Sequence, residues 1–150
     1  MLFPWEVLLH QILMVVVLVL SAIISIVINK ADLSGKKKYT LFKFIRAFTL
    51  FFMLPTTLFL MAANVWGIAQ LDFITVEKAA YRGIIAITGL ITMLIAAFSI
   101  IPQTQEGMKE VRRKSITASK YQKIFQKLRA NFITIMLTIA VGFWIMYLFR

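Results

Sequence analysis

His10 is the sole histidine of this 150-residue chain, and Met14 follows it by four residues, so a helix puts both on one face a turn apart. An imidazole beside thioethers is a donor set that suits Cu(I), and a histidine is also an axial ligand for haem iron. When each apolar run is followed by its direction, Met61 and Met146 fall in the same half of a membrane as His10 and would extend that set. The structural alternative is that methionine is a flexible apolar filler, with His10 near enough to the start of its run to be hydrated. A second histidine for bis-histidine haem is absent, and without cysteine there is no thiolate ligand, cysteine nucleophile or disulfide exchange. The sequence has no Walker loop, zinc signature, paired carboxylates or Ser/His/Asp arrangement, so no enzyme activity is expected.

The other polar residues suggest support rather than chemistry. Glu6, Asp72, Glu77, Lys78 and Arg82 fall at the outer edge, where they would either gate an ion path or anchor the chain at the interface. No acid lies deep inside an apolar run, which argues against a proton-coupled pump. Asn64, Thr88, Thr92, Thr134 and Thr138 lie within the runs and would bond across helices or back to their own carbonyls.

The elements that must position these groups are four apolar runs, at residues 7–28, 47–68, 83–101 and 132–149. A hydrocarbon core about 30 Å thick needs about 20 helical residues, and each run is long enough. The expected fold is all-α, a polytopic membrane protein built as a four-transmembrane-helix bundle. It forms a single domain over 1–150, with helices at about 7–28, 41–68, 79–101 and 119–149.

The formal net charge of +11 is explained by sidedness. Segment 30–46 holds six of the seventeen bases and segment 103–130 holds eight, whereas the remaining segments balance three bases against three acids. Lys and Arg beside membrane segments are retained in the cytoplasm, so both basic loops are expected inside and both termini extracytoplasmic. This bias accounts for the charge without nucleic acid. The first run has no base before it and no small-x-small cleavage site after it, and reads as an anchor that stays rather than a signal peptide.

Local signals refine the outline. Residues 31–38 read as a turn, with the second helix starting near Leu41. Pro55 predicts a kink, with Thr56 and Thr57 helping to satisfy the freed backbone. Ala79, Gly83, Ala86, Gly89, Ala96 and Ala97 predict that the third helix is central and closely packed, and Pro102 with Gly107 predicts its end. Tyr121, Ile124, Phe125 and Leu128 at helical spacing predict an amphipathic stretch that runs on into the fourth helix. Lys120, Lys123, Lys127 and Arg129 on that stretch would meet anionic lipid head groups or a partner protein. Trp5, Trp66 and Trp144, with Tyr81 and Tyr147, suit an aromatic belt at the outer boundary.

Residues 41–47 (LFKFIRA) resemble residues 124–130 (IFQKLRA), and both lead into an outward-running helix. The repeat predicts two parallel helical hairpins related by an axis along the membrane normal, with chance likeness in basic–aromatic sequence as the alternative.

The chain also resembles a group of bacterial integral membrane proteins of unknown function that are loosely similar to the CopD-type copper-resistance proteins. The likeness rests on residues 4–10 (PWEVLLH), 52–55 (FMLP), 87–89 (ITG) and 101–103 (IPQ), together with Tyr121. It implies a four-helix bundle in the bacterial plasma membrane, with His10 at the position of a first-helix histidine and copper passage as the role. Two functions are therefore expected to compete. One is binding or passing a small ligand, copper or haem, through His10 and Met14. The other is a structural or assembly subunit that meets a membrane-protein partner or a second copy of itself.

Overall fold

The computed structural model describes residues 4–30, 35–69, 76–113 and 117–148, and all regular structure among them is helical. The helices form four rods. The first is α1 (Pro4–Lys30). The second joins α2 (Gly35–Phe48) to α3 (Leu54–Ala69) through a π turn, Thr49–Met53. The third joins α4 (Val76–Ile95) to α5 (Ile101–Arg112) through another π turn, Ala96–Ile100. The fourth is α6 (Ala118–Leu148). All four are long and apolar enough to cross a membrane. This is a multi-pass membrane protein with an all-α four-helix bundle.

Lipid cannot hydrogen-bond a backbone, so β-branched sequence such as Val15–Val19 of α1 still folds as helix, pairing every amide internally. Each rod buries one stripe and turns the rest outward. In α1 the inner stripe is His10, Met14, Val17, Ser21, Ile24 and Ile28, while Leu8, Ile12, Val15, Val19 and Ile23 face out. Such outward apolar residues carry no penalty when the surroundings are acyl chains. Because lipid is as apolar as leucine, close contact between rods holds the bundle together.

α1 packs on α6, α6 on α4, and α4 on α3, while α2 packs on α5 at the basic end. The tightest pairs are thus first rod with fourth and second with third. Exchanging the two hairpins would interconvert these pairs, although the hairpins themselves are not the tightest units. The third rod is central as expected: 39% of its apolar window is buried, against 28–33% for the others. Only part of the small-residue reading holds. A Cβ on Gly89 would lie 3.0 Å from the Thr57 carbonyl oxygen, so α3 and α4 approach closely there, whereas nothing comes within 4 Å of one on Gly83.

Two expected boundaries are corrected. The second helix starts at Gly35, not near Leu41, so Lys36, Lys37 and Lys38 are helical. Of the expected turn, residues 31–34 lie outside the described residues. The third helix stops at neither Pro102 nor Gly107 but runs to Arg112. The π turns account for this. Leu54 N–H reaches the Thr49 carbonyl just before Pro55, and Ile101 N–H reaches the Ala96 carbonyl just before Pro102. A wider turn carries the preceding carbonyls away from the proline ring, so the missing donor neither breaks nor ends the rod. The distortion expected at Pro55 takes this form, and Thr57 donates to the Met53 and Leu54 carbonyls beside it.

At the basic end α2, α5 and the first turns of α6 enclose the continuation of the core, where Phe42, Ile45, Tyr121, Ile124, Phe125 and Leu128 are all buried. The amphipathic stretch therefore packs as its spacing predicts. The 34 residues of 36–69 and the 35 of 78–112 each reach about 50 Å, well beyond a 30 Å hydrocarbon core.

Candidate functional site

His10 lies on the inner face of α1, only 5% exposed, with its ring centroid 6.1 Å from that of Phe59 on α3. Met14, one turn further along, is 2% exposed and lines a central cavity of about 10 Å³. Thr57, Leu60, Thr88, Thr92 and Ile139 from the other three rods also line it. Such a space holds about one water, and Thr92 Oγ1 is a buried hydroxyl without a hydrogen-bond partner that could use one. It is far too small for a haem. Met146 is buried on α6 and Met61 half-buried on α3, but neither they nor His10 line this cavity. Among the described residues no three of His, Cys, Asp and Glu gather where they would hold a metal ion.

The outer-edge residues are only partly described: Asp72 and the side chains of Trp5, Glu6 and Glu77 lie outside the described residues. Lys78 is exposed. Arg82 folds against α3, its Nη1 donating to the Ala63 carbonyl at 3.5 Å. A Cβ on Gly67 would fall on the Arg82 guanidinium, so Gly67 makes the room it occupies. Trp66, Trp144 and Tyr147 are exposed, as a belt requires.

Several hydroxyls, buried and exposed, are satisfied within their own rod, whereas those of Ser21, Tyr81, Thr92 and Tyr121 are enclosed without a partner. Thr49 donates to Ile45, Thr134 to Ala130 and Thr138 to Thr134, each through the carbonyl four residues back. Asn64 Nδ2 does the same to Leu60. One inter-rod network was not expected. Asn131 Nδ2 on α6 donates to Ser99 Oγ at 2.8 Å and to Gln103 Oε1 at 3.2 Å, while Gln103 Nε2 donates to Ser99 Oγ at 3.0 Å. Ser99 and Gln103 stand four apart, with the end of the π turn between them. The signal available in sequence was that spacing, together with a lone amide in the otherwise apolar part of α6.

No protein-family model, curated protein or solved structure matches the chain.

Two surfaces stand out besides the His10 face. The bases expected to meet lipid or a partner are not equivalent. Lys120 Nζ is bonded to Glu110 at 2.9 Å, with Glu106 at 3.9 Å, and so clasps α6 to α5. Lys123, Lys127 and Arg129 are exposed. Within the membrane, α4 and α6 leave a groove of about 450 Å³ open to lipid. Ile84, Ile87 and Ile91 form one wall, and Thr134, Thr138 and Gly142, spaced by four, run along the other. With their hydroxyls engaged internally, the two threonines offer methyl groups and low relief, the surface on which transmembrane helices approach closely.

Proposed function

We propose that this protein is a non-catalytic assembly subunit of a membrane complex, seated in the bacterial plasma membrane with its basic end in the cytoplasm and both termini outside. The groove between α4 and α6 carries this reading. The central cavity holds only about 10 Å³, whereas an apolar recess of about 450 Å³ opens sideways, where another membrane helix would lie. The small-residue wall at Thr134, Thr138 and Gly142 suits such a helix, and the charge bias supports the orientation. A photoreactive residue at Leu137, followed by mass spectrometry from native membranes, tests it. Cross-links to a different membrane protein support the reading, and recovery of the chain only with itself counts against it. Protection of a terminal tag in intact spheroplasts would invert the orientation.

The buried His10 favours a second reading, in which the imidazole with Met14 holds copper in the outer half of the bundle. Metal analysis of protein purified from its native membrane, beside His10→Ala, tests this. Stoichiometric copper lost in the variant would support it, and metal-free wild type would remove it.

A further inference from the structure

A second groove, of about 380 Å³, lies between α2 and α5 where the basic end meets the apolar spans. Four bases line it: Lys43 and Arg46 from α2, and Lys109 and Arg112 from α5. No acid lines it, in contrast to Lys120, whose charge is answered by Glu110. Arg46 Nε is buried there without a hydrogen-bond partner. A buried donor left unsatisfied is costly, and a guanidinium is shaped to give two parallel hydrogen bonds to a phosphate. Arg112 is already aimed: it donates to the Tyr39 hydroxyl and its charge lies 5.1 Å from that ring's centre.

The groove is graded along its length. Tyr39, Lys43 and Arg46 come first along the second rod, and Leu50 and Phe51 of the π turn follow, a distance of about 18 Å. Phe51 is 82% exposed, so the apolar stretch is continuous with the lipid-facing surface. We infer that this groove binds an anionic phospholipid, with its phosphate among Arg46, Lys43, Lys109 and Arg112 and its first acyl carbons against Leu50 and Phe51. A soluble anion would use only the basic part. The apolar part, opening into the membrane, commits the site to lipid. This inference does not depend on the assembly reading.

The test uses the full chain in nanodiscs of equal parts phosphatidylglycerol and phosphatidylcholine, with lipid retained after detergent extraction measured by native mass spectrometry. Wild type is expected to retain phosphatidylglycerol in preference. Lys109→Gln, an exposed change that leaves the fold alone, should lower retention about fivefold, and adding Arg46→Gln should abolish the preference. The control pair Lys123→Gln with Lys127→Gln removes equal charge outside the groove and should keep it. Equal losses in groove and control variants, or equal retention of both lipids by wild type, would overturn the site. Displacement of the lipid by inorganic phosphate at matched concentration would overturn the lipid assignment.

Discussion

Phe42 of α2 and Phe125 of α6, equivalent positions in the two similar heptapeptides, stack on one another with ring centroids 4.8 Å apart and planes 16° from parallel. The next equivalent pair, Ile45 and Leu128, is fully buried as well. The likeness between residues 41–47 and 124–130 therefore has a physical basis: two parallel helices present the same face to one shared core. Tyr121 closes this core with edge contacts to both rings, and Lys38 Nζ lies 3.9 Å from the centre of the Tyr121 ring.

Gly107 should be intolerant of even a methyl group. Its Cβ would fall on the Phe42 ring, and that ring has Phe125 stacked on it. Gly107→Ala gains about 1 kcal/mol of helix propensity but meets overpacking of about 1–3 kcal/mol, so the melting temperature in detergent should fall. Gly83→Ala is the counterpart, with open space around the new methyl, and should leave stability unchanged or raise it. A fall of equal size in both variants would refute the contrast.

The inter-rod network at Ser99, Gln103 and Asn131 should couple measurably. A double-mutant cycle of Asn131→Leu with Ser99→Ala is expected to show about 0.5–2 kcal/mol of interaction, read from unfolding in a micelle. Additive effects would mean that the short distances carry no net energy.

The π turns should be removable in register. Deleting Phe51 together with Pro55→Ala converts the wide turn to ordinary helix and leaves Thr49, Thr57 and Leu60 facing inward. Deleting Leu58 from regular helix instead rotates everything after it by about 100°. The first variant should elute as a folded monodisperse species and the second should not. The reverse outcome would show that the wide turn is not a one-residue insertion.

The Lys120 clasp should matter little at ordinary salt. Its lysine is about half exposed, so Glu110→Gln is expected to cost at most about 1 kcal/mol, shrinking as salt is added. A larger loss in melting temperature, insensitive to salt, would place Glu110 in some other role.

The crossings were legible because lipid imposes a simple demand: about 20 apolar residues with the backbone paired internally. Likewise, Tyr121, Ile124, Phe125 and Leu128 announced their buried face by period alone. What misled was local chemistry read without its surroundings. Pro102 looks like a stop, yet a π turn ahead of it absorbs the missing donor. Gly107 looks like a breaker, yet it makes room for Phe42 on a neighbouring helix. Gly83 looks like a packing glycine but has nothing against it. The graded groove was hidden because Lys43, Arg46, Lys109 and Arg112 come from segments more than 60 residues apart in sequence, and only the pairing of α2 with α5 unites them.

The length of the second and third rods settles how the molecule floats. A helix that outruns the hydrocarbon by several turns has to stop sinking somewhere, and here the stop is a collar of cations just past the π turns. On one side of that collar the rods turn mostly apolar side chains outward, and on the other the rings of Phe42, Tyr121 and Phe125 pack against one another. A thicker or thinner bilayer would therefore shift the opposite, tryptophan-bearing rim, while the waterline at the collar stays where it is.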